Sequence, residues 1–166
     1  MAFGSQSAIM NVFVDTVLYP RASMNAKLYS TTWMAALFNN TVTPDNTVVA
    51  ASAGFNTGVW VTGNEVTDVT NWVSGGRSLG TPSSPPSGGY SAQNYVMLDA
   101  ADTAGGGNVT IANAYGDFVY DSATTQPVAK LGVAYHSYGA AQGVTAGTFT
   151  VVWHANGVVR WSHVPA

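Results

Sequence analysis

No cysteine occurs in the 166 residues, which leaves neither a disulfide framework nor a thiolate metal site. Charge is almost as scarce. Five basic and eight acidic residues make up 8% of the chain, where about 25% is usual in a soluble domain. Five cations and a net charge of -3 cannot build the phosphate-neutralising stripe of a nucleic-acid surface, so no nucleic acid is expected as a partner. No apolar run approaches the ~20 residues needed to span a bilayer, so no membrane is expected either. The segment MAFGSQSAIMNVFVDTVLYPRAS lacks a basic n-region, and Asp15 interrupts its apolar stretch, so it does not read as a signal peptide. Helix-building residues are thin too: Leu and Ile together number eight, Lys two and Glu one.

What the chain has instead is 23 Ala, 22 Val, 18 Thr, 18 Gly, 14 Ser and 12 Asn. Val and Thr favour strands, while Gly, Asn and Ser make turns. The expected fold is all-β: a single β-sandwich or jelly-roll-like domain over residues 26–166, with one short N-terminal helix and an extended N-terminal arm over 1–25. A surface covered by Thr, Ser, Asn and Gly rather than by ions associates readily, because charge keeps small domains apart. That composition suits an assembly component or an extracellular module.

In the arm, Gly4, Ser5, Ser7, Pro20 and Ser23 punctuate short apolar patches, which are expected to lie along this domain or a neighbour. The helix is expected at 30–40, where hydroxyls precede Trp33, Met34, Leu37 and Phe38 at four-residue spacing. Strands are expected at 47–53, 58–62, 66–73, 93–99, 108–115, 118–121, 128–136, 148–154 and 158–162, at the spacing of a sandwich or barrel. The SGGRSLGTPSSPPSGG stretch over 74–89 is a long loop of the kind that is functional or mobile. Asn156-Gly157 between two alternating runs predicts a type I′ hairpin that sets Trp153 opposite Arg160 and Val152 opposite Trp161. Both faces of that hairpin are apolar, so one would pack on the core and the other meet a partner or the arm.

Catalytic and ligating candidates are few. His136, His154 and His163 read as strand histidines with hydrogen-bond partners, the last two too far apart along the sheet to share a metal. Asp99, Asp102, Asp117 and Asp121 form no calcium loop and read as turn-formers. Arg77 in SGGRSLG lacks the lysine of a phosphate loop, and Glu65 has no defined carboxylate partner. No catalytic residue, cofactor or metal site is assigned, and a non-enzymatic role is expected. The five Trp, eight Tyr and six Phe are the richer resource. Some must fill the interior, because small Val and Ala dominate the apolar set; Trp60, Tyr90 and Tyr95 are alternatives for stacking on sugar rings.

The order of several segments resembles small structural proteins of tailed bacteriophage virions, over residues 26–161. These are AKLYSTTWMAALFNN (26–40), WVSGGRSLG (72–80), VMLDAADT (96–103), NVTIANAYGDFVYD (108–121) and GTFTVVWHANGVVRW (147–161). The resemblance implies a virion component, a head decoration (cement) protein on the outer capsid surface, with a tail or fibre component as the alternative; apart from the resemblance, a carbohydrate-binding or adhesive β-sandwich module is the other reading. Its partners would be the major capsid protein and copies of itself, as a homo-oligomer or bound to the lattice. The interface residues expected on this reading are Phe13, Val14, Leu18, Tyr19, Arg77, Trp153, Arg160 and Trp161.

Overall fold

Buried strands lose the polar-apolar alternation that marks a half-exposed one, and the centre of this fold is built from two such segments. In the computed structural model, which describes residues 3, 6–18, 32–80, 95–98, 103–104, 108–153 and 158–162, the first is β2 (Trp33–Phe38). The second is the C-terminal half of β7 (Val109–Asp121), which runs antiparallel to β2 from Trp33↔Asp121 to Phe38↔Gly116. The helix expected at 30–40 is therefore a central strand. Six consecutive apolar residues fit a strand buried on both faces as well as a short helix, and periodicity alone cannot separate the two. Leu37 enters one core cluster and Phe38 the other.

Two short strands share the other edge of β2. β3 (Glu65–Val66) pairs with Leu37 and Phe38, and β4 (Arg77–Gly80) pairs with the Trp33–Ala35 half. On the far side of β7 lies β8 (Gly132–Gly147), and beyond it β1 (Ala8–Ile9). The sheet order is β1-β8-β7-β2-β3, with β4 also on β2 and every pair antiparallel. β5 (Tyr95–Leu98) pairs with β10 (Val159–Ser162), and β6 (Thr103–Ala104) with β9 (Thr150–Val151), in two separate small sheets. The result is an all-β fold with one α-helix among the described residues.

The first half of β7 keeps a single buried face, carried by Val109, Ile111 and Ala114. Its register with β8 shifts between Ile111 and Ala114, where Asn113 has a φ of 60°. This is bulge geometry, and Asn tolerates the left-handed backbone better than most residues. The matching half of β8 is exposed, so here the two strands run as a ribbon.

Part of the expected arm is not extended. Helix α1 (Asn11–Leu18) buries Met10 just before it, then Phe13 and Thr16 on one face, and Phe13 meets Trp33 edge-on at 6.1 Å. Met10 N–H donates to the Val133 carbonyl and Asn11 N–H to that of Asn46, fixing the helix entry against the sheet. The described part of the arm, residues 3 and 6–18, lies along its own domain.

Two expected strands are turns. Asp45 accepts hydrogen bonds from the Thr47 amide and hydroxyl at 2.8 and 2.6 Å, and a 3₁₀ turn follows at Ala50–Ser52. Gly58 has a φ of 56°, and a second 3₁₀ turn spans Thr62–Asn64. Local side-chain hydrogen bonds of this sort compete with a sheet ladder. The loop between them drops Trp60 into the core, stacked on Phe118 at 4.2 Å and edge-on to Phe38 at 5.1 Å. Trp60 is fully buried and cannot serve as a sugar-stacking platform.

The segments expected at 108–115 and 118–121 form one continuous strand, β7, and that expected at 66–73 is strand only at its start. Among the described residues the expected terminal pairing does not form: Arg160 pairs with Met97 and Trp161 with Val96, not with Trp153 and Val152. Strands distant in sequence outcompeted the local turn signal. Asn156-Gly157, His154, His163, Asp99, Asp102, Tyr90 and most of the 74–89 loop lie outside the described residues.

Candidate functional site

A carboxylate removed from water needs partners for its lone pairs, and in this fold Asp117 is the most demanding case. It sits in β7 with no exposure, in the buried half of the strand, directly opposite His136 of β8. Directly opposed side chains in an antiparallel pair stand on the same face. His136 Nδ1 lies 2.8 Å from Asp117 Oδ1. Two residues on, hence on that face again, the Tyr138 hydroxyl donates to Oδ2 at 3.0 Å. Both carboxylate oxygens are thereby engaged.

The second imidazole nitrogen is engaged as well: Nε2 lies 3.2 Å from the Val158 carbonyl. The Trp153 ring stands edge-on to the imidazole at 5.3 Å, closing the same site. Burial alone would lower the imidazolium's pKa, but the Asp117 charge, its hydrogen bond and the Val158 carbonyl outweigh it and hold the pKa above 6.5. Burial, then Asp117, pushes the Tyr138 phenol well above its ordinary value. The His136 side chain keeps 23% of its surface exposed. With both ring nitrogens and both carboxylate oxygens occupied, the cluster clamps strands together; neither nitrogen is turned toward an open site.

The residue types were visible in the sequence, and their roles differ. His136 is the strand histidine with hydrogen-bond partners that was expected. Asp121 behaves as a turn-former, accepting from the Ala123 amide at 2.9 Å and the Thr124 hydroxyl at 2.6 Å. Asp117 does not: it is mid-strand and paired across the sheet, because β7 continues through it. The signal for this was an aspartate within the apolar stretch Tyr115–Tyr120, which requires a buried partner, and the same-face spacing of His136 and Tyr138.

A second polar cluster joins β3 to the turn before β4. Glu65 accepts from the Ser74 hydroxyl at 2.7 Å and the Gly75 amide at 2.8 Å, while Tyr120 donates to the Gly75 carbonyl at 2.7 Å. Burial raises the Glu65 pKa despite these bonds, and burial with the Glu65 charge pushes Tyr120 up to about 12.

The residues expected at an interface are distributed over separate elements. Phe13 belongs to the chain's own core, at 1% exposure, because α1 packs on the sheet. Val14 is half-buried on the same helix, and Leu18 ends it. Arg77 is half-buried in β4 and donates from Nη1 to the Asn71 carbonyl at 3.0 Å. Trp153 packs partly buried against both core clusters, and Arg160 and Trp161 lie in β10. Tyr19 lies outside the described residues. The large apolar side chains left in solvent were not anticipated: Val69 at 94%, Val49 at 70%, Val152 at 69% and Val73 at 49%. Among the described residues, no three His, Asp or Glu side chains gather as a metal site.

Compared with protein-family models, curated proteins and solved structures, the chain matches none.

Proposed function

We propose that this chain is a non-enzymatic structural protein of a tailed-phage virion, a decoration protein that binds the outer surface of the head and strengthens the shell. The observation that carries the reading is the division of residues between inside and outside. The interior takes the bulky aromatics, including fully buried Trp33, Trp60 and Trp72, and two of the eight acids, Asp117 and Asp121. Among the described residues the outside carries few charges, Asp15, Asp45 and Lys130 among them, between small neutral residues and exposed valines, a surface poorly defended against association. The segment order over 26–161 supplies the virion context.

Function on this reading comes from buried area. Apolar surface removed from water contributes about 25 cal/mol per Å², so modest contacts repeated over a symmetric lattice accumulate. Association and ordering costs reduce that sum for each copy. Partners are the major capsid protein and further copies of this chain.

The test is localisation on purified particles of the encoding phage. Antibody label on the heads, with co-sedimentation of added protein by heads that lack it, supports the proposal. Label on tails alone replaces it with the tail or fibre reading, and absence from particles overturns both.

A further inference from the structure

A neutral imidazole has one N–H and one lone pair, and the imidazolium has two N–H groups. His136 stands between two acceptors, Asp117 Oδ1 at 2.8 Å and the Val158 carbonyl at 3.2 Å. Only the imidazolium can donate to both. Val158 immediately precedes β10, whose pairing with β5 forms a sheet separate from the main one. Two described contacts tie this outlying pair to the main sheet at Val158: its side chain, buried in the main core, and its carbonyl on His136.

We propose that His136 is a pH-operated latch, closed as the imidazolium and open as the neutral ring, that holds the C-terminal strand pair β5–β10 against the main sheet through Val158. The groups facing the ring decide which bond opens. From β7 comes Asp117, fully buried; from β8, Tyr138, which stays protonated and satisfies the other carboxylate oxygen. The segment after β9 brings the uncharged Trp153 ring, and the approach to β10 brings only a backbone carbonyl. On the other side, Ser7, which immediately precedes β1, accepts from the Ser137 amide and carries no charge. When the ring loses its proton, the buried carboxylate keeps the remaining N–H, being the stronger acceptor. Val158 then confronts a lone pair, and the carbonyl must find water. Raising the pH thus loosens β10 while leaving β7 and β8 paired.

The test uses the full-length chain carrying His154→Gln and His163→Gln, so that one imidazole titrates; the unsubstituted chain, with its ring resonances assigned individually, serves if that variant does not fold. Ring nitrogen shifts follow His136, and backbone amide exchange, corrected for its intrinsic pH dependence, follows the strands. The expected result is a ring doubly protonated at the acid end. As it titrates, exchange at 159–162 and 95–98 should rise about tenfold relative to 116–121, the scale of one buried acceptor losing its donor. A ratio that stays flat across the titration, or a neutral ring that keeps its proton on Nε2, overturns the latch.

Discussion

Asp117 and His136 face each other across β7 and β8 with a 2.8 Å contact, and the carboxylate has no exposure at all. Removing either partner has unequal consequences. His136→Ala strands a buried charge, and its expected cost is about 3–5 kcal/mol. Asp117→Asn leaves a neutral group that still accepts a hydrogen bond, so its cost should be smaller. Urea unfolding at pH 6 gives the order; equal losses would mean that the carboxylate is relieved by water.

The same pair makes stability depend on pH. The folded-state pKa of His136 is raised above the 6.5 of an unperturbed histidine, so folding favours proton uptake. Its contribution is complete below about 6.5 and is lost as the pH rises through the folded value. Unfolding midpoints in the parent chain should therefore fall as the pH is raised above about 6.5. In Asp117→Asn that decline should flatten, because the charge that raised the pKa is gone.

Phe13 tests where the N-terminal segment belongs. Its ring is 1% exposed and packs edge-on to Trp33. Phe13→Ala should cost about 3–5 kcal/mol, as for other buried aromatics. Val14→Ala, on the half-buried side of the helix, should cost markedly less. Thermal melts distinguish this from a Phe13 that serves a partner, where stability would hold and self-association would change. Deleting residues 1–25 would for the same reason remove part of the core rather than a detachable arm.

Two glycines with nearly equal backbone angles separate conformational cost from collision. Gly76 has a φ of +76° and Gly80 one of +75°. A Cβ at Gly80 would meet nothing within 4 Å, whereas at Gly76 it would lie 1.9 Å from the Ala35 carbonyl oxygen. Gly80→Ala should show only the left-handed penalty of about 1–2 kcal/mol. Gly76→Ala should exceed that clearly, because β4 would have to move away from β2. Similar melting temperatures for the two would show that the turn relaxes freely.

Composition made the β class legible, since abundant Val, Thr and Gly with few Leu, Glu and Lys leave little else. What escaped a reading along the chain was whatever depends on distant partners. The stretch 33–38 satisfies helical spacing and a buried strand equally, and only its neighbours β7, β3 and β4 decide. Asn156-Gly157 argued for local pairing, yet β10 joins β5, more than sixty residues earlier. The Asp117–His136–Tyr138 cluster is assembled by the register of β7 on β8, spanning 19 and 21 residues of sequence. Short turns are decided by single side chains, as where Asp45 captures Thr47 at the start of a run, 47–53, that otherwise reads as strand.

The exposed valines carry the assembly reading to a direct measurement. Val69 and Val152 are 94% and 69% exposed, so Lys at either position disturbs no packing. The expected change in folding stability is within about 0.5 kcal/mol. If these side chains are buried against a capsid or another copy, a lysine there leaves an ammonium desolvated and unpaired. Particle binding by Val69→Lys and Val152→Lys should then weaken at least about tenfold, at unchanged melting temperature. Both variants binding like the parent would place the contact surface elsewhere on the chain. Loss through only one would locate the interface at the turn that carries Val69 or at the segment following β9.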